Sequence, residues 1–129
     1  MKKILALLVT ALVGVSAYAA EFADISVADV NKLSESKTAV IIDANGPGSY
    51  TGKGHVPGAL DFNAIEDKLA ASLPADKGAL IVAYCGNPGC GAYLRAAKAA
   101  QKLGYTNIKH MSAGIDGWKE AGLKTEPAR

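Results

Sequence analysis

Two runs of consecutive apolar residues organise the chain: Ala39-Val40-Ile41-Ile42 and Ala79-Leu80-Ile81-Val82-Ala83-Tyr84. Both are short, unbroken and rich in branched side chains, which predicts strands buried on two faces, as in a parallel sheet. Asn107 to Met111 predicts a weaker third strand, and Phe22 to Ser26 an edge strand. Helical periodicity fills the gaps. Ser26 is placed to cap a helix through Val27, Val30 and Leu33, with Asp29 three residues on as a capping-box partner. Ile65 to Leu73 reads as a short amphipathic helix stopped by Pro74. Ala92 to Leu103 is the strongest helix, with Leu94, Ala97 and Leu103 on its inner side and Gly104 as its natural stop. A last helix is expected over Ile115 to Ala121, ending near Gly122. Strands alternating with helices predict a single α/β domain: a mostly parallel central sheet flanked by helices on both faces. In such sheets ligands bind beyond the carboxyl ends of the strands. Two glycine-rich loops follow strands, Asn45 to Gly54 and Gly86 to Gly91.

The first residues follow a different pattern. Lys2 and Lys3 precede a nearly continuous apolar run from Ile4 to Val15, and Ala17-Tyr18-Ala19 has the small-residue spacing of a signal-peptidase site. Residues 1–19 are therefore expected to be a secretory signal, with the domain spanning 20–129, the protein exported to a bacterial periplasm, and no stable membrane insertion after cleavage. The alternative is an uncleaved anchor, although the run is short for a transmembrane helix. Removing the signal changes the charge. Lys2 and Lys3 are two of the 14 basic residues and none of the 12 acidic residues precedes Glu21, so the mature chain carries 12 of each. That balance gives no electrostatic footprint for nucleic acid or a membrane surface.

A mature chain of this length can build a core without staples. Its two cysteines, Cys85 and Cys90, have four residues between them. A bridge between them would close a small ring and contribute less to stability than a long-range one, which points to chemistry or regulation rather than a framework. Their setting is Tyr84-Cys85-Gly86-Asn87-Pro88-Gly89-Cys90-Gly91: a strand end, a glycine-rich turn, then a long helix. Glycines let such a turn aim several N–H groups inward, and a helix start adds more, together with the positive end of its dipole. A thiolate beside such a nest is stabilised, and the thiolate is the nucleophile. From local sequence alone, a buried structural cysteine at a strand end explains Cys85 equally well.

The order of four stretches resembles the rhodanese-like sulfurtransferase superfamily over essentially the whole mature chain. Val40-Ile41-Ile42-Asp43 looks like the family's first buried strand ending in aspartate. Gly54-His55-Val56-Pro57-Gly58-Ala59-Leu60 is similar to its Gly-His-Ile-x-Gly-Ala element. Tyr84-Cys85 opens the loop, and Lys102-Leu103-Gly104-Tyr105, Ala113-Gly114-Ile115 and Trp118 resemble the closing segment. The resemblance implies that Cys85 takes a sulfane sulfur from a small anion such as thiosulfate. Cyanide or a small or protein thiol would then remove it, through a covalent persulfide and without metal or organic cofactor. Gly86, Asn87, Gly89, Cys90, Gly91 and Ala92 would form the binding loop, with Asp43 and Arg95 as accessory residues.

Three departures from the family pattern stand out. The Asp-x-Arg element and the acidic residue four positions beyond its arginine are missing: Asp43 is followed by Ala44-Asn45, and Ser49 holds the acidic position. The loop is extended, so that Ala96-Ala97 arrive about two residues late, and it resembles a Cys-x-Asn-Pro-x-Cys subgroup whose donor need not be thiosulfate. Gly91 stands where phosphatase relatives carry the arginine of Cys-x5-Arg, which argues against phosphatase activity.

Other residues keep open readings. Cys90 is a resolving thiol, a second sulfur carrier or a bystander; two cysteines alone are too few for a metal site, and His55 and His110 lack metal spacing. His55 is expected to fix a turn rather than act as a base. Asp43 either orients loop N–H groups or caps its strand end. Trp118 is expected in the core. Tyr50 and Tyr93 could line the pocket mouth, and Lys53 and Arg95 could steer an anion. Three functions compete: a sulfurtransferase, a non-catalytic sulfur carrier or binding module, and a Cys85/Cys90 thiol–disulfide redox protein, for which four intervening residues is an unusual spacing.

Overall fold

The structure, a computed structural model, describes residues 22–127, and the expected signal at 1–19 lies outside them. Five strands and six helices follow one another as β1 (Ala23–Asp24), α1 (Val27–Ser36), β2 (Val40–Asp43), α2 (Pro47–Gly52), β3 (Leu60–Asp61), α3 (Phe62–Ile65), α4 (Leu69–Ser72), β4 (Ile81–Tyr84), α5 (Tyr93–Lys102), β5 (Ile108–His110) and α6 (Gly114–Glu120). All strand pairs are parallel, in the order β1-β5-β4-β2-β3.

Side-chain alternation along the sheet divides the core in two. Ile42, Ile81, Ala83 and Ile108 pack with Phe62, Leu69 and the alanines Ala96, Ala97 and Ala100 of α5. On the other face Ile41, Val82 and Tyr84 meet Val30 of α1 and Ile115 and Trp118 of α6. The helices therefore cover both faces, as the unbroken apolar strands require. The alanines let α5 lie close against the sheet. Ser26 caps α1 by accepting from the Asp29 N–H at 3.1 Å.

Three local features differ from the sequence expectation. The predicted helix over Ile65 to Leu73 is broken into α3, a 3₁₀ turn at Glu66–Lys68, and α4. It begins earlier because Asp61 caps it, accepting from the Asn63 N–H, and this turns Phe62 inward alongside Leu69. The loop Asn45 to Gly54 contains α2, which Pro47 opens at a position where its missing N–H costs nothing. The short strand β3 has no apolar run of its own and exists because Leu60 and Asp61 pair with Ile42 and Asp43.

This topology fixes the place of the crevice. From the two central strands the chain leaves in opposite directions, from β2 outward to β3 and from β4 outward to β5. The carboxyl ends of β2 and β4 therefore flank a switch point, where parallel sheets form their binding crevice.

Candidate active site

Cys85 follows β4 directly and is 1% exposed. The loop from it to α5 is short and internally tied: Cys90 donates its N–H to the Asn87 carbonyl at 3.0 Å, and Gly89 donates to Asn87 Oδ1 at 3.0 Å. This turn folds the loop back on itself and brings Cys90 against Cys85, with Cα atoms 6.2 Å apart and the sulfurs joined in a disulfide. The structure thus holds the two cysteines together, the arrangement a resolving thiol needs. Cys90 is only partly buried, and Asn87, Pro88 and Gly89 are exposed. The first N–H groups after the turn, those of Gly91, Ala92 and Tyr93, have no hydrogen-bond acceptor among the described residues. These are the orphan donors of a helix start, beside the disulfide and available to an anion.

The other side of the loop is bolted to α6. Ile115 and Asp116 donate their N–H groups to the carbonyls of Cys85 and Gly86 at 2.9 and 3.0 Å. Gly114, just before them, has φ +66°. A Cβ on Gly114 would lie 2.7 Å from Asn87 N and closer still to the Gly86 carbonyl. The backbone approach that positions the loop therefore requires glycine there. The sequence carried this signal in Ala113-Gly114-Ile115, but nothing local says what Gly114 touches.

Behind the loop sits a buried polar chain. The Tyr84 hydroxyl donates to Asp43 Oδ2 at 2.6 Å and accepts from the Val56 N–H at 3.0 Å, while Asp43 Oδ1 accepts from the Asn45 N–H at 2.8 Å. Asp43 and Tyr84 are register partners in β2 and β4, and both are fully buried. Asp43 thus caps its own strand end and holds Tyr84, making no bond to a loop N–H between Cys85 and α5. Burial raises its carboxyl pKa from 3.8, opposed by the hydrogen bonds from Tyr84 and Asn45. Burial and the neighbouring Asp43 raise the Tyr84 phenol far beyond its usual range, so it stays a donor. Replacing Tyr84 with phenylalanine leaves Asp43 Oδ2 and the Val56 N–H without partners. At about 1–3 kcal/mol per buried orphan, a loss of roughly 2–6 kcal/mol is expected in chemical denaturation. A loss under about 0.5 kcal/mol would show that the chain is not holding the two strand ends.

Asp43 also sets a pH trend. Because its folded pKa lies above 3.8, the unfolded chain releases this proton first as pH rises. Its contribution to stability is complete below 3.8 and is lost as pH rises through the folded value. Wild type should therefore lose stability relative to Asp43→Asn across that window; parallel denaturation curves over the acid range measure it, and a constant difference overturns it.

The remaining sequence candidates fall outside the immediate loop. Arg95 forms a two-oxygen pair with Glu66, both bonds at 2.9 Å, and lies over the Phe62 ring, so its charge is already partnered. Lys53 faces Asp116 at 3.7 Å, again an exposed pair. Tyr50 donates to the Ala59 carbonyl at 2.6 Å and stacks on His55, whose ring also bonds the Tyr50 carbonyl through Nδ1 at 3.0 Å. His55 and Glu126 exchange backbone hydrogen bonds, so the histidine ties the chain end to the turn, as expected of a structural residue. Tyr93, the first residue of α5, stacks on His110 with ring centres 3.3 Å apart. Burial lowers the His110 pKa and so favours the neutral imidazole, an effect partly offset by the charge of Asp24. Its Nε2 is buried without a partner among the described residues. Sequence reasoning missed this pair, since the two residues are far apart in the chain and meet only where α5 packs on β5.

Solved structures with this architecture include a rhodanese-related protein from Thermoplasma volcanium, at 18% identity and TM-score 0.60, covering 81% of this chain and 98% of that one. A protein of unknown function, possible tyrosine phosphatase, from Rhodopseudomonas palustris matches at 25% identity and TM-score 0.62, covering 81% and 85%. The 3-mercaptopyruvate sulfotransferase of Escherichia coli matches at 18% identity and TM-score 0.64, covering 81% of this chain and 50% of that one. The family model of the rhodanese-like domain matches residues 26–121, from the α1 cap through α6. With the loop cysteine at the end of β4 and the parallel sheet behind it, the chain belongs to the rhodanese-like domain family.

Proposed function

We propose that the protein is a sulfurtransferase in which Cys85 carries a sulfane sulfur from a small anionic donor such as thiosulfate to a thiophilic acceptor. The observation that carries this reading is the placement of Cys85: a buried cysteine sulfur at the carboxyl end of a central strand, beside unpaired N–H groups at the start of α5. In the reduced protein those donors favour the thiolate. After donor attack they favour the terminal sulfur anion of the persulfide, which Gly86, Asn87, Gly89, Cys90, Gly91 and Ala92 surround as the binding loop. Asp43 acts at a distance by fixing Tyr84, the residue before the nucleophile. With Gly91 in place of a loop arginine and Arg95 held by Glu66, the loop lacks the guanidinium that a phosphate monoester would need.

The export expected from residues 1–19 belongs to the same proposal, and it would place the cysteine pair where disulfides persist. The disulfide itself favours a second reading, a thiol–disulfide redox protein without sulfur transfer. The deciding experiment reduces the protein, removes the reductant, and measures thiocyanate formed from thiosulfate and cyanide, alongside the intact mass and the hydrosulfide released after thiosulfate alone. Thiocyanate is expected, and thiosulfate alone should leave one added sulfur atom on the chain or release one hydrosulfide per chain. Disulfide formation with no thiocyanate, no added sulfur and no hydrosulfide, from thiosulfate or from inorganic polysulfide, would leave the redox reading in place of this one.

A further inference from the structure

We propose that Cys90 is the resolving thiol of the site: it attacks the Cys85 persulfide within the loop, releases the sulfane sulfur as hydrosulfide, and leaves a Cys85–Cys90 disulfide that an external dithiol must reduce. This rests on the persulfide reading above. Four observations carry it further than that reading. First, the sulfurs are already bonding partners in the structure, so no loop movement has to be invoked to bring them together. Second, the contact is built: the Asn87 carbonyl and side chain each hold one N–H of the turn that carries Cys90. Third, the bridge joins two residues of a single loop, in a chain whose two cores are each closed by helices on a sheet. It ties no distant elements together, so it can open and close without dismantling the fold. Fourth, Cys85 is 1% exposed whereas Cys90 is partly open to solvent. An outside acceptor must reach a buried sulfur, and Cys90 is already there.

The chemistry balances. The Cys90 thiolate attacks the inner sulfur, Cys85 Sγ. The bond between that atom and the outer sulfur breaks, and its electron pair leaves with the outer sulfur as hydrosulfide. The sulfane sulfur gains two electrons, and the two cysteine sulfurs together lose two by forming their bond. Resetting takes two electrons from the external dithiol. Its first thiolate attacks the more exposed Cys90 Sγ and expels Cys85 as a thiolate, the better-stabilised leaving group beside the α5 donors. Its second thiol then attacks the mixed disulfide, frees Cys90 and leaves the dithiol oxidised. The partner is therefore a dithiol, because a second thiol in the same molecule completes the release.

A single turnover tests this. Reduced, desalted wild type and Cys90→Ser are each given one equivalent of thiosulfate without other thiols, and hydrosulfide and intact mass are followed. Wild type should release close to one hydrosulfide per chain and finish as the disulfide, two hydrogens lighter than the reduced protein. Cys90→Ser should release none, keep one added sulfur atom, and still yield thiocyanate when cyanide is added. Adding dithiothreitol should make hydrosulfide release catalytic in wild type, and at least tenfold slower in Cys90→Ser. Wild type and variant both holding a stable persulfide would overturn the relay and leave the sulfurtransferase reading intact. Neither wild type nor Cys90→Ser taking up or releasing sulfur, from thiosulfate or polysulfide, would overturn both.

Discussion

Cys85→Ser is expected to take up no sulfur and to form thiocyanate more than about a thousand-fold more slowly than wild type, the scale on which removing a covalent nucleophile acts. A serine hydroxyl at this position can form no persulfide, and nothing beside it in the loop serves as a base that would activate it. The α5 donors, which stabilise a thiolate, do not bring an alcohol into ionisation near neutral pH. Because Cys85 is almost fully buried, the hydroxyl also needs a hydrogen-bond partner, and circular dichroism should accompany the kinetics to confirm that the variant folds. The substitution leaves Cys90 as a free and more exposed thiol. Residual turnover that disappears in the double variant would transfer the nucleophile to Cys90 and defeat the assignment.

Gly114→Ala should be the most damaging change of a residue that performs no chemistry. The left-handed backbone at φ +66° disfavours any Cβ by about 1–2 kcal/mol. The new Cβ would also press on the backbone of Gly86 and Asn87, a form of overpacking worth about 1–3 kcal/mol. The combined loss, roughly 2–5 kcal/mol, corresponds to a fall in melting temperature of about 10 °C or more for a domain of this size. Relief of the clash would push the loop away from α6, breaking the bonds that Ile115 and Asp116 make to the Cys85 and Gly86 carbonyls. Displacing the nucleophile by about 1 Å should lower turnover by about a hundred-fold even well below the melting point. Gly122→Ala is the control. It has φ +75° and open space around the added carbon, so it carries only the backbone cost and should turn over like wild type. Equal effects of the two variants would show that the close approach of α6 to the loop is unimportant.

These predictions separate what was legible in the chain from what was not. Unbroken apolar runs at Val40–Ile42 and Ile81–Tyr84 announce strands covered on both faces, because a two-faced core tolerates no polar alternation. Ser26, Gly104 and the alanines of α5 mark helix ends and a close-packed helix for equally local reasons. The parallel α/β domain and the loop bearing Cys85 and Cys90 follow from those signals and from the order of the motifs. The broken helix between Phe62 and Ser72 was not legible, since one amphipathic spacing serves both a continuous helix and two short pieces around a 3₁₀ turn. Nor was β3, which becomes a strand only by pairing with β2.

At the site, the sequence by itself singled out Cys85 as the candidate nucleophile, since it stands at a strand end before a glycine-rich turn and a helix. It left Cys90 among three roles, Asp43 between two, and Arg95 as a candidate cation. Those choices depend on distances between residues remote in the chain. Only the tertiary structure brings Asp43 and Tyr84 into register, directs Arg95 to Glu66, stacks Tyr93 on His110, and presses Gly114 against Gly86. Even the Cys85–Cys90 pair, near neighbours in sequence, needed the turn at Asn87 and its hydrogen bonds to show that the sulfurs face each other. Local pattern encodes burial and backbone preference, whereas partnership is set by the packing of elements that no window of sequence contains.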